Sequence, residues 1–115
     1  MRVTTEMWVS ALSRRVYGDG GFATVARRGS SEAGAVFVLV RDRLGLMSLY
    51  GPAPQTTYDS AKPEDRRFSL IAGDADQEAI DARITKEARF DGDLWVLEIE
   101  PGATQLGDLL EITTP

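Results

Sequence analysis

Apolar and polar positions recur along this chain with two different periods, and the changes of period divide it into elements. Between Glu6 and Tyr17, Trp8, Ala11, Leu12 and Val16 fall at i, i+3, i+4 and i+8, the spacing of one helical face. Thr4 or Thr5 suits the cap at its start, and Gly18, Asp19, Gly20 and Gly21 suit its stop. Trp8, Val9, Ala11 and Leu12 also suit a sheet, so a strand is the alternative here. Phe22 to Arg28 alternates as a short strand, and Gly29 to Gly34 has the composition of a turn. Ala35 to Val40 is apolar at every position, as expected of a central strand covered on both faces. These two runs read as a hairpin. After the turn Asp42 to Gly45, Leu46 to Tyr50 reads as a third strand, antiparallel because the connection is too short for a crossover.

Gly51-Pro52-Ala53-Pro54-Gln55 does not suit a regular ladder, since two prolines remove two donors. A long polar loop is expected from here to Pro63. Arg67 to Ala72 reads as a fourth strand with Phe68, Leu70 and Ala72 on one face. A helix follows, with Asp74 as N-cap, Gln77 three residues on, and Ile80, Ile84 and Ala88 as its inner stripe. Leu94 to Glu100 is a fifth strand: Trp95, Leu97 and Ile99 point one way, Leu94, Val96, Glu98 and Glu100 the other. Residues 103–115 suit a short helix or a strand, and 102–115 read as a loosely packed tail. The order is α-β-β-β-β-α-β: one α+β domain spanning 1–115, an antiparallel sheet of about four to five strands with two helices packed on one face.

Composition narrows the chemistry. The 115 residues contain no cysteine and no histidine. Thiol nucleophiles, Ser-His-Asp triads and zinc sites built from Cys or His are therefore excluded. The absence of cysteine fits a reducing compartment. No run approaches the ~20 apolar residues of a spanning helix, and the start lacks a secretory pattern, so a cytoplasmic protein is expected. Net charge is −5, unevenly placed. Residues 1–57 hold seven arginines against four acids, and residues 58–115 hold six basic residues against fourteen acids. An acidic chain is a poor partner for nucleic acid. Arginine outnumbers lysine eleven to two. Its planar fork suits anions, although the codon usage of a GC-rich genome explains the excess more simply.

A set of segments gives a resemblance. Met7-Trp8-Val9-Ser10-Ala11-Leu12 with Arg14-Arg15 is followed by Gly21-Phe22-Ala23, Arg27-Arg28-Gly29 and Glu32-Ala33-Gly34-Ala35. Leu49-Tyr50-Gly51-Pro52-Ala53-Pro54-Gln55 and Arg89-Phe90-Asp91-Gly92-Asp93-Leu94-Trp95-Val96 with Glu98-Ile99-Glu100 complete it. Together, in order and over nearly the whole chain, these resemble domain of unknown function 1491, a family of small alphaproteobacterial proteins. The resemblance implies a single-domain bacterial protein and carries over no catalytic residue.

Three constellations have the residue types for chemistry. Arg14, Arg15, Arg27, Arg28, Arg66 and Arg67 flank flexible stretches, and Gly29, Ser30 and Ser31 offer amides and hydroxyls for a phosphate or carboxylate. Neighbours on a strand face opposite ways, so the competing reading has one arginine of each pair solvated and the other paired with an acid. Tyr50, Pro52, Pro54, Gln55 and Tyr58 suit either a rigid lip for a partner or a plain connector. Asp91, Asp93, Glu98 and Glu100 gather carboxylates, but a solvated strand face that blunts an edge explains them more simply. No catalytic set, metal site or cofactor motif emerges. The expectation is a non-catalytic protein-interaction module, with self-association open to it. The alternative is a binding domain for a small anion. Neither nucleic acid nor membrane is an expected partner.

Overall fold

The computed structural model describes residues 3–54 and 66–113. Its elements are α1 (Thr5–Gly18), β1 (Phe22–Arg27), β2 (Val36–Arg41), β3 (Met47–Pro52), β4 (Arg67–Ala75), α2 (Gln77–Phe90), β5 (Trp95–Glu100), α3 (Leu106–Leu109) and β6 (Glu111–Ile112). The α+β class stands. The purely antiparallel sheet does not: six strands run in the order β1-β5-β2-β3-β4-β6, and the β2–β5 and β4–β6 pairs are parallel.

The expected β1–β2 hairpin is replaced by an arch. β5 sits between the two strands, antiparallel to β1 and parallel to β2. The connection from Arg28 to Ala35 passes over the first residues of β5. It has the length to span two inter-strand spacings, roughly 10 Å, so a short connector did not force a hairpin. Backbone bonds fasten the arch: Ser30 N–H donates to Asp93 O at 3.0 Å, and Trp95 N–H to Ala35 O at 2.8 Å.

The helices cover opposite faces rather than one. Val9, Leu12 and Val16 of α1 pack with Val36, Val38, Trp95, Leu97 and Ile99, and Leu109 and Leu110 join this layer. Ile80 of α2 packs with Phe37, Leu39, Met47, Leu49 and Val96 on the other side. Double coverage explains why β2 is apolar from Val36 to Val40. The tail is fastened too, because α3 sends Leu109 into the core and β6 pairs with Arg67 and Phe68 of β4.

Two boundaries move. Gly51 and Pro52 continue β3, opposite Ser69 and Phe68; the missing N–H of Pro52 is tolerated at the strand's last residue. β4 runs on to Ala75, with Asp74 at φ 47° where the register shifts, so the α2 cap is Asp76 rather than Asp74. Its carboxylate accepts from Ala79 N–H at 2.9 Å. Asp76→Ala is expected to lower stability by about 1 kcal/mol. Asp74→Asn makes the contrast, since it removes no cap and keeps a residue type that tolerates the positive φ, and thermal unfolding of both variants reads the difference.

Candidate functional site

The site begins with a threonine. Thr4 caps α1, its hydroxyl accepting from Met7 N–H at 3.2 Å. Thr5 begins the inner stripe that continues through Val9, Leu12 and Val16, and is fully buried. A buried hydroxyl needs partners. Thr5 Oγ1 donates to Gly34 O at 3.3 Å and accepts from Gly34 N–H at 3.1 Å. Arg66 closes the cluster: Nη2 donates to Thr5 Oγ1 at 2.6 Å, Nη1 to Gly34 O at 3.3 Å. The guanidinium also lies 5.6 Å from the centre of the Trp8 ring.

Arg66 is half-buried, and burial pulls its guanidinium below the ordinary arginine value. Its partners, Thr5, Gly34 and Trp8, are all neutral; no carboxylate pairs with it among the described residues. It borders a cavity of about 560 Å³ whose walls include Thr5, Trp8, Glu32, Ala35 and Pro52. The amides at the start of α1 are already taken. Thr5 N–H donates to Glu32 O and Glu6 N–H to Ser31 O, at 3.4 and 3.1 Å.

The remaining candidates scatter. Arg14 and Arg28 meet in a groove of about 510 Å³ between α1 and β1. There Arg28 is held 2.7 Å from Glu6 and 5.0 Å from the Trp95 ring centre. Arg15 donates to Asp108 O at 2.9 Å, and Arg27 to Gly92 O at 3.4 Å. Arg67 lies 3.3 Å from Glu111. Arg66, just before β4, and Arg67, its first residue, thus meet different surroundings. In the Gly29-Ser30-Ser31 turn, Ser30 N–H is bonded to Asp93 O and Ser30 O accepts from Trp95 Nε1 at 2.7 Å. With Ser31 O accepting from Glu6, these backbone groups serve the arch.

Tyr50 lies in β3 as the third-strand reading expects, Pro52 belongs to that strand rather than a loop, Pro54 is exposed, and Gln55 and Tyr58 lie outside the described residues. Asp91 and Asp93 close a turn, with Asp91 Oδ1 accepting from Asp93 N–H at 3.0 Å. Glu98 and Glu100 face Arg41 at 3.4 and 3.8 Å, on a strand that is internal and has no edge to blunt. Arg41, with Arg43, Phe22 and Glu100, borders a cleft of about 690 Å³ at the ends of β2 and β5. Among the described residues, no group of three acids is placed to hold a metal, and no helix is long and apolar enough to cross a membrane.

Sequence reasoning missed Thr5, Glu32 and Gly34. The signal for Thr5 was its place four residues before Val9: a hydroxyl on the inner stripe must find a partner.

Comparison with known proteins agrees with this architecture. The chain is similar, at 45% identity and a TM-score of 0.84, to a protein from A. tumefaciens determined in solution; the match covers 100% of this chain and 98% of that one. It is similar at 33% identity and a TM-score of 0.76 to a DUF1491 family protein from Caulobacter crescentus determined in a crystal, covering 98% of this chain and 100% of that one. Among curated proteins none matches. The family profile described as "Protein of unknown function (DUF1491)" matches residues 3–106. With nine-tenths of its length matched and the fold shared from end to end, the chain belongs to the DUF1491 family.

Proposed function

We propose that this chain is a non-catalytic, cytoplasmic binding domain that holds a small anionic group against Arg66. One observation carries the reading: a half-buried guanidinium, gripped among the described residues by neutral partners alone, borders an open cavity. Burying a cation costs free energy unless an opposite charge compensates it. The grip on Thr5 and Gly34 orients the fork without neutralising it. A carboxylate or phosphate entering the cavity supplies the missing charge through charge-assisted bonds.

A protein-interaction role is the second reading. Pro52, on the cavity wall, and Pro54, two residues on, are both exposed.

Titration calorimetry with a panel of small carboxylates and inorganic phosphate tests the first reading. The expected result is binding by at least one anion, weakened about tenfold or more in Arg66→Gln, the range of a charge-assisted contact. Arg28→Gln, in the separate groove, is expected to bind as the natural chain does. Equal affinity in Arg66→Gln and the natural chain would remove the reading.

A further inference from the structure

We infer that the anion suited to the Arg66 cavity is a monocarboxylate carried on an apolar body, not a phosphate. This rests on the reading above and narrows it. The first ground is charge. Among the described residues the cavity has one cation, Arg66, and one acid, Glu32, on its wall. Among the described residues, no lysine and no second arginine lines it. The α1 amides that serve a phosphate elsewhere are bonded to Ser31 O, Glu32 O and Thr4 Oγ1. A dianion here would face one guanidinium, a nearby carboxylate and no free helix start. A single negative charge is the one Arg66 can balance.

The second ground is geometry. Arg66 has five N–H donors, of which Nη1 and Nη2 each give one to the Thr5–Gly34 pair. Three donors remain without a partner among the described residues. A planar carboxylate fits such a fork with two parallel bonds. The third ground is the wall. Trp8, Val3, Ala35 and Pro52 give the cavity an apolar part to its wall, against which acetate places only a methyl group and phosphate nothing.

The test uses four probes in calorimetry on the full chain: 3-phenylpropionate, acetate, inorganic phosphate and the neutral 3-phenylpropan-1-ol. The expected result is 3-phenylpropionate binding about tenfold or more tightly than each of the other three, since apolar burial and the charge pair are both needed. Phosphate binding as tightly as 3-phenylpropionate would overturn the monocarboxylate inference and leave the Arg66 anion site standing. The alcohol binding as tightly as the acid, or no probe binding, would overturn both. Glu32→Gln, at an exposed position that leaves the Thr5 cluster intact, is expected to tighten 3-phenylpropionate binding about threefold by removing a like charge. Unchanged or weakened binding in Glu32→Gln would overturn the charge argument.

Discussion

Trp95→Ala is expected to lower the unfolding free energy by about 4 kcal/mol, near the upper range for loss of a buried aromatic. Trp95 is 1% exposed and stands where β5 passes beneath the arch. Three separate contacts depend on it. Its ring packs with the α1 layer, its Nε1–H satisfies Ser30 O at 2.7 Å, and its face carries the Arg28 guanidinium. Alanine leaves a void, an unpaired carbonyl and a cation without its platform. Trp95→Phe restores most of the packing but not the donor, so it should lose about 1–2 kcal/mol. Urea denaturation with an unchanged slope measures both. A loss below about 1 kcal/mol for the alanine variant would show that the arch does not depend on this side chain.

Gly29→Ala is the second large effect, expected at about 3 kcal/mol by overpacking against rigid backbone. A Cβ at Gly29 would overlap the Asp93 carbonyl oxygen and come within 2.6 Å of Leu94 O. Both are main-chain atoms at the start of β5, so no side chain can rotate away. Gly92, one residue before Asp93, is the control: a Cβ there meets nothing within 4 Å. Gly92→Ala should change stability by less than about 0.5 kcal/mol. Equal midpoints for the two variants in thermal unfolding would contradict this account of the crossing. The role of Gly29 is thus to let two backbones touch.

That reassignment illustrates what sequence reasoning reaches. α1 was legible as a helix because apolar residues at helical spacing run up to a glycine stop, although its inner stripe is Thr5, Val9, Leu12 and Val16, with Ala11 exposed and Trp8 half-buried; β2 was legible because an uninterrupted apolar run has few other homes. The crossing was not legible. Local proximity argues for β1 beside β2, whereas β5 pairs along both strands and Gly29, Ser30 and Trp95 fit the connection over it. Asp74 and Asp76 look alike as caps; pairing of Ala75 with Met47 decides between them. For the site, arginines were visible as types, but their partners were not. Arg66 differs from Arg67 by one position, and that position sends one to a neutral cluster and the other towards Glu111. Glu32 and Gly34 were visible only as part of a turn, because their meaning depends on Thr5, nearly thirty residues earlier.

The seat of β5 between β1 and β2 has a kinetic consequence. As the ribosome releases the chain from its amino end, the two flanking strands emerge with a vacant slot between them. The strand that fills it is made more than fifty residues after β2. Until then neither β1 nor the inner edge of β2 has its neighbour, and α1 has only half a floor to rest on. Pairings between distant parts of a chain close slowly, because loop entropy is lost before contacts repay it. Synthesis of this small protein therefore passes through a stage with two adhesive sheet edges open to water, ended by the arrival of Trp95.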